Sequence, residues 1–90
     1  MMRYKIEYSR TKTDHWGHIL PPTLSVEYAE TLTEAENKAI EISSRLKKHD
    51  VNVLDMERPN AEGGSTWCVM SFKAGKSIKT NVDYFKTFEL

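Results

Sequence analysis

Cysteine occurs once, at Cys68, so the chain has no internal disulfide and no CxxC or four-cysteine zinc framework. A reducing cytoplasm is the expected setting. Apolar runs are short as well, and none approaches the ~20 residues needed to cross a bilayer. The opening residues, Met1-Met2-Arg3-Tyr4-Lys5-Ile6-Glu7, alternate charged and apolar side chains and lack the apolar stretch of a secretory signal. A soluble protein that is not exported is therefore expected, with no membrane partner. Net charge is missing too. Thirteen basic residues balance thirteen acidic ones, so the overall positive field of a non-specific nucleic-acid binder is lacking.

Catalytic signatures are equally scarce. There is no GxSxG elbow to expose a nucleophilic serine, and P-loop, GxGxxG and HExxH patterns are absent. Cys68 stands between Trp67 and Val69 with no base beside it, which suits a small buried apolar side chain better than a thiolate. The chain is therefore expected not to be an enzyme, and to take no cofactor and no small-molecule substrate. Internal repeats, low-complexity segments and linkers are also missing.

What the sequence does contain is enough apolar material for one core. Of ninety residues, 39% are apolar and 29% charged, close to globular averages, so residues 1–90 are expected to fold as a single domain. Tyr4, Ile6 and Tyr8 alternate with polar residues and predict a first strand. After a polar stretch from Arg10 to His18, Pro21-Pro22 delays the second strand to Thr23–Ala29, where Leu24, Val26 and Tyr28 alternate with Ser25 and Glu27. The two strands can pair as a hairpin with a long loop.

The clearest element is a helix predicted from Thr33 to His49. Thr33 and Glu36 have the spacing of a capping box. Ala35, Ala39, Ile42 and Leu46 form one stripe with Ile40 beside it. Glu34, Glu36 and Glu41 come early and Arg45, Lys47 and Lys48 late, the order that complements the helix dipole. A third strand is expected over Val51–Glu57, with Val51 and Val53 on one face and Leu54 and Met56 on the other. A loop follows from Arg58 to Gly64. A fourth strand, Thr66–Phe72, is expected to set Trp67 and Val69 opposite Cys68, Met70 and Phe72. Ala74-Gly75 turns the chain into a fifth strand through Ile78, Thr80 and Val82. Residues 83–90 fit neither strand nor helix cleanly. The expected fold is α+β, an antiparallel sheet of four to five strands packed on one amphipathic helix in the order β-β-α-β-β-β.

Charge comes in patches. Residues 1–13 carry +3, 14–42 carry −5, 43–49 return to +3, 50–62 fall to −3 and 63–81 rise to +3. Patches of both signs favour oriented binding to a structured partner. Lys73, Lys76 and Lys79 around the second hairpin, with Arg45, Lys47 and Lys48 at the helix end, form a candidate basic surface beside the aromatic Tyr4, Tyr8 and Trp67. The plainer account is edge-strand lysines that discourage aggregation and cations that suit a helix end. Glu27, Glu30, Glu34, Glu36 and Glu41 form the opposing candidate patch, or simply a solvated helix face. Asp14-His15-Trp16-Gly17-His18 places two histidines and a carboxylate together, but no third ligand stands at a recognised spacing. A solvated loop anchored by Trp16 is the expected reading, with a small nuclease using His15 and His18 as general acid and base the minority one.

In layout the chain resembles the small phage-encoded inhibitors of type I CRISPR surveillance complexes. The matching stretches are Val26-Glu27-Tyr28-Ala29-Glu30, the helix opening Thr33-Glu34-Ala35-Glu36 with Ala39, then Met56-Glu57-Arg58, Gly64-Ser65-Thr66-Trp67 and Phe88-Glu89-Leu90. The resemblance implies a non-catalytic inhibitor in the host cytoplasm that docks on a nucleic-acid-binding surface of a larger protein or ribonucleoprotein complex. The expected contact residues are Arg45, Lys47, Lys48, Lys73, Lys76, Lys79, Glu34, Glu41 and Trp16. The alternative is a small DNA-binding module that uses a basic sheet face, with nucleic acid as the partner.

Overall fold

The structure is a computed structural model and describes residues 2–59, 66–82 and 84. Five strands, β1 Tyr4–Arg10, β2 Thr23–Ala29, β3 Val51–Pro59, β4 Thr66–Lys73 and β5 Lys76–Thr80, form one antiparallel sheet in the order β2-β1-β3-β4-β5. One helix, α1 Leu32–Leu46, packs on one face of it. This is the expected α+β fold.

The period-two pattern decides which side chains meet the helix. Tyr4 and Ile6 pair with Asp55 and Val53, and Val51 pairs with Phe72. All of these face α1, where Ile6, Val51 and Val53 are fully buried against Ala35, Ala39 and Ile42. Two alanines at the contact let the helix lie close to the sheet, and each apolar side chain removed from water contributes roughly 1.5–3 kcal/mol. Among the described residues no helix covers the other face of the sheet. Leu24, Val26 and Tyr28 of β2 lie there, all exposed.

Four expectations need correction. The helix is Leu32–Leu46 with Thr31 as its cap, not Thr33–His49. Two overlapping capping-box spacings are written into Thr31-Leu32-Thr33-Glu34-Ala35-Glu36, and the first threonine supplies the cap while Glu34 reaches back to the residue before it. Thr31 Oγ1 accepts from the Glu34 amide at 3.2 Å and Glu34 Oε2 accepts from the Glu30 amide at 3.3 Å. Starting there also packs Leu32 against the core. At the other end Lys47 takes φ 41° and stops the helix, its amide still donating to Ser43 O. Thr31→Ala is expected to cost about 1 kcal/mol and Thr33→Ala much less. Thermal melts followed by circular dichroism compare the two.

The second correction concerns β4. A register shift sets Val53 against Met70 but Leu54 against Cys68, so Val69 is the extra residue of a bulge. Strict alternation therefore fails at that point. Trp67, paired with Asp55, shares the helix-covered face with Met70 and Phe72, while Cys68 is only half-buried and pairs with Leu54 on the other side. Third, β5 ends at Thr80 and Val82 lies in a helical turn, so Val82 is not part of the fifth strand. β3 also runs on through Arg58 and Pro59, which were expected to open the following loop; the rest of that loop to Gly64, and the tail apart from Tyr84, lie outside the described residues.

The turn between β4 and β5 is fastened to the helix. Ala74 and Gly75 both take positive φ, 52° and 79°, as a two-residue hairpin turn requires. Gly75 N donates to Ser43 Oγ at 3.0 Å, and a Cβ on Gly75 would stand 2.5 Å from Ser44 Oγ. Only glycine fits both demands.

Candidate partner-binding surface

The Gly75–Ser43 contact brings two of the predicted basic groups to one end of the molecule. Lys47 and Lys48 follow Ser43 by about one turn at the close of α1, and Lys73 and Lys76 flank the turn that Ser43 holds. Lys73 pairs with Lys76 and Ser71 with Lys79, so all three hairpin lysines lie on the uncovered face of the sheet. Each of the five lysines is exposed. Arg45 is not brought to this group. It lies on the β1 side of the helix, where Tyr8, Arg10, Ile42, Arg45 and Leu46 line a shallow cavity of about 90 Å³, well short of the roughly 300 Å³ at which small-molecule sites begin.

The aromatic partners expected for the basic surface are elsewhere. Tyr4 is buried, Tyr8 and Trp67 are half-buried, and all three lie on the helix-covered face. Among the described residues, the aromatic side chain exposed on the uncovered face is Tyr28, at the far edge of the sheet from the lysines.

The acidic residues separate into two kinds. Glu34 is engaged in the helix cap and in an ion pair with Lys38 at 3.4 Å. Lys38 in turn donates to Tyr28 O at 2.7 Å, tying the helix to the edge strand. Glu41, like Glu30 and Glu36, is exposed to solvent. The helix thus presents acids toward its start and lysines at its end.

Beyond the β1–β2 pairing the chain continues as an arm, closed by a bridge between Thr13 and Ile19. Asp14 builds its tip. Its Oδ1 accepts from the amides of Trp16 and His18 at 2.9 Å, and its Oδ2 lies 3.3 Å from His18 Nδ1. Gly17 supplies the positive φ of 83°. Trp16 does not anchor this loop, as was expected of it. It is 72% exposed and its ring rests on His15, centroids 3.6 Å apart. Asp14 is thereby taken up in the turn, and among the described residues no three histidine, cysteine or carboxylate side chains gather where a metal could sit.

The polar centre that sequence reasoning missed is buried. Asp55, fully buried, receives Arg3 Nε and Nη2 at 2.9 and 2.8 Å, the Glu57 amide at 3.0 Å and the Tyr84 hydroxyl at 3.2 Å. The Tyr84 hydroxyl also lies 3.0 Å from that of Tyr4. Burial alone would push the Asp55 carboxyl up, but Arg3 and the other donors together hold it below its ordinary value. Burial, the Tyr4 hydroxyl and the Asp55 charge push the Tyr84 phenol well up. Arg58 lies over the Trp67 ring at 4.2 Å and the Tyr84 ring at 5.3 Å. One signal for this centre was available, because Asp55 follows Val51 and Val53 at period two and so occupies a core-facing position.

Compared with protein families, curated proteins and solved structures, the chain matches none of them. Among the described residues no helix is long and apolar enough to cross a membrane.

Proposed function

We propose that this protein is a small non-catalytic binding protein that docks on a larger host complex. Its contact surface is the basic end formed by Lys47, Lys48, Lys73, Lys76 and Lys79. The observation that carries the reading is the Gly75–Ser43 bond, which holds the β4–β5 turn against the end of α1 and so fixes these lysines relative to one another. A rigid basic end paired with an acidic helix start gives the molecule a direction, and such charge separation orients an encounter before close contacts form. The resemblance in layout supplies the kind of partner: a nucleic-acid-binding surface of a type I CRISPR complex, with the protein acting as a stoichiometric inhibitor.

The second reading, a DNA-binding module, draws on the shared face of Lys73, Lys76 and Lys79. The separation of Tyr4, Tyr8 and Trp67 from those lysines weakens it, since stacking platforms for bases need the aromatic groups beside the cations. One experiment divides the two. The purified protein is offered a type I surveillance complex and, separately, duplex DNA in a gel shift at moderate salt. Saturable binding to the complex, reduced at least about tenfold by joint Lys73→Glu, Lys76→Glu and Lys79→Glu, is expected. A DNA shift that weakens steeply with salt, with no binding to the complex, would favour the module instead.

A further inference from the structure

The open edge of β2 has a geometry that follows from two hydrogen bonds. Met56 N donates to Arg3 O at 2.9 Å, so the backbone groups of Arg3 face β3. Alternation then directs Lys5 and Glu7 to β3, and Tyr4, Ile6 and Tyr8 to β2. Their partners Ala29, Glu27 and Ser25 point back toward β1. Leu24, Val26 and Tyr28 are left with N–H and C=O directed to the open edge. The Lys38 bond to Tyr28 O at 2.7 Å independently marks that carbonyl as outward-facing.

The same three residues carry the apolar row on the uncovered face. Leu24 is 64% exposed, Val26 40% and Tyr28 43%. Natural sheets blunt such edges with lysine, proline or a bulge. The opposite edge strand, β5, has all but the proline: Lys76, Lys79 and a register shift. From Thr23 to Ala29 there is no lysine and no proline, and the pairing with β1 runs without a shift.

We propose that a second copy of this chain covers the edge, β2 pairing antiparallel with β2 of the partner subunit about a two-fold axis at Val26. The sequence Thr23-Leu24-Ser25-Val26-Glu27-Tyr28-Ala29 is self-complementary in that register. Leu24 faces Tyr28 of the partner subunit and Val26 faces Val26 of the partner subunit, so every outward N–H and C=O meets its counterpart and the apolar rows join across the seam. On the helix side Ser25 faces Glu27 of the partner subunit, and no two like charges stand directly opposite. Glu27 is also drawn back by the Tyr8 hydroxyl at 3.2 Å. Neighbouring registers are poorer. A shift one way sets Pro22, which has no N–H, against an outward-facing Tyr28, and a shift the other way sets Leu24 against Glu30. Lys38 need not leave, because a carbonyl oxygen accepts two hydrogen bonds. The product is a single ten-stranded sheet with β5 at both outer edges.

Sedimentation equilibrium at about 100 μM, well above a micromolar dissociation constant, is expected to give about 21 kDa, twice the 10.4 kDa of one chain. Val26→Lys, which sets two cations face to face on the axis, is expected to give the single-chain mass with an unchanged far-ultraviolet spectrum. A second variant stands if that one does not fold. In a Cys68→Ser background, Val26→Cys is expected to form a covalent dimer on mild oxidation, whereas Ile78→Cys on β5 is expected to stay uncrosslinked. A single-chain mass for the unmodified protein, a folded Val26→Lys that remains double, or no cross-link through position 26 would each overturn the pairing.

Discussion

Asp55→Ala is expected to lower stability by about 3 kcal/mol, which for a domain of this size is a fall in melting temperature of roughly 15 °C. The loss does not come from one ion pair. Removing the carboxylate takes the acceptor from the Glu57 amide and one of two partners from the Tyr84 hydroxyl, and leaves the Arg3 guanidinium beside a hole. Unmade bonds of this kind cost more than the bonds themselves contribute. Arg3 keeps some access to water and a contact with Glu57 at 3.2 Å, which holds the figure near the lower end for a broken buried pair. The same carboxylate makes stability depend on pH. Its folded value lies below the ordinary 3.8, so its contribution is present above about pH 4 and is lost as acid protonates the folded form. Tyr84 acts in the opposite direction. Its raised value keeps a contribution that is present below the ordinary 10.0 and lost as alkali ionises the folded phenol. Urea midpoints for the parent and Asp55→Asn between pH 7 and pH 3 test the acid side. The variant is expected to decline less steeply, and parallel curves would assign the decline to other groups.

Ile42→Asp is expected to remove most of the fold's stability and leave the protein largely unfolded. Ile42 is 2% exposed and stands at the centre of the helix–sheet contact between Ala39 and the β1 side chains. A carboxylate there forfeits the apolar contacts and sets a charge against the core, a cost that Arg10 and Arg45, which line the neighbouring cavity, reduce but do not remove. Together these exceed about 4 kcal/mol, against a total stability of about 5–13 kcal/mol for ninety residues. Loss of the helical circular-dichroism signal at neutral pH is the expected reading. A cooperative melt retained by Ile42→Asp would place the helix's buried stripe elsewhere.

The elements whose patterns are purely local were legible in the sequence. β2 begins and ends where its alternation says, and Ala35, Ala39 and Ile42 are buried as their spacing requires. The helix start was misplaced because two threonines offered the same capping geometry, and Leu32, whose packing decides between them, looks like loop from the sequence alone. The bulge at Val69 carries no local mark at all. It arises because β4 must match β3 on one side, and a single inserted residue there moves Trp67 to the other face. The lysines of the candidate surface could be grouped by type but not by position. Their convergence depends on Gly75 reaching Ser43, a contact across 32 residues. Trp16 shows the opposite failure, since a large apolar side chain suggests an anchor until its loop is seen to project away from the core.

The Asp55 centre also bears on time. Arg3 and Asp55 lie 52 residues apart along the chain, and Tyr4 and Tyr84 lie 80 apart, whereas β1 and β2 close a hairpin between near neighbours. Contacts between distant residues form after local ones, because a long loop must be closed before they gain anything. The network is therefore expected to assemble late, after the hairpin has paired with the helix, so that Asp55→Ala raises the unfolding rate more than it lowers the refolding rate in stopped-flow traces. Interactions absent from the folding transition state act on the rate of opening. On that expectation the four side chains Arg3, Tyr4, Asp55 and Tyr84 would act as a latch, doing little to hasten the fold's arrival and setting how long it lasts.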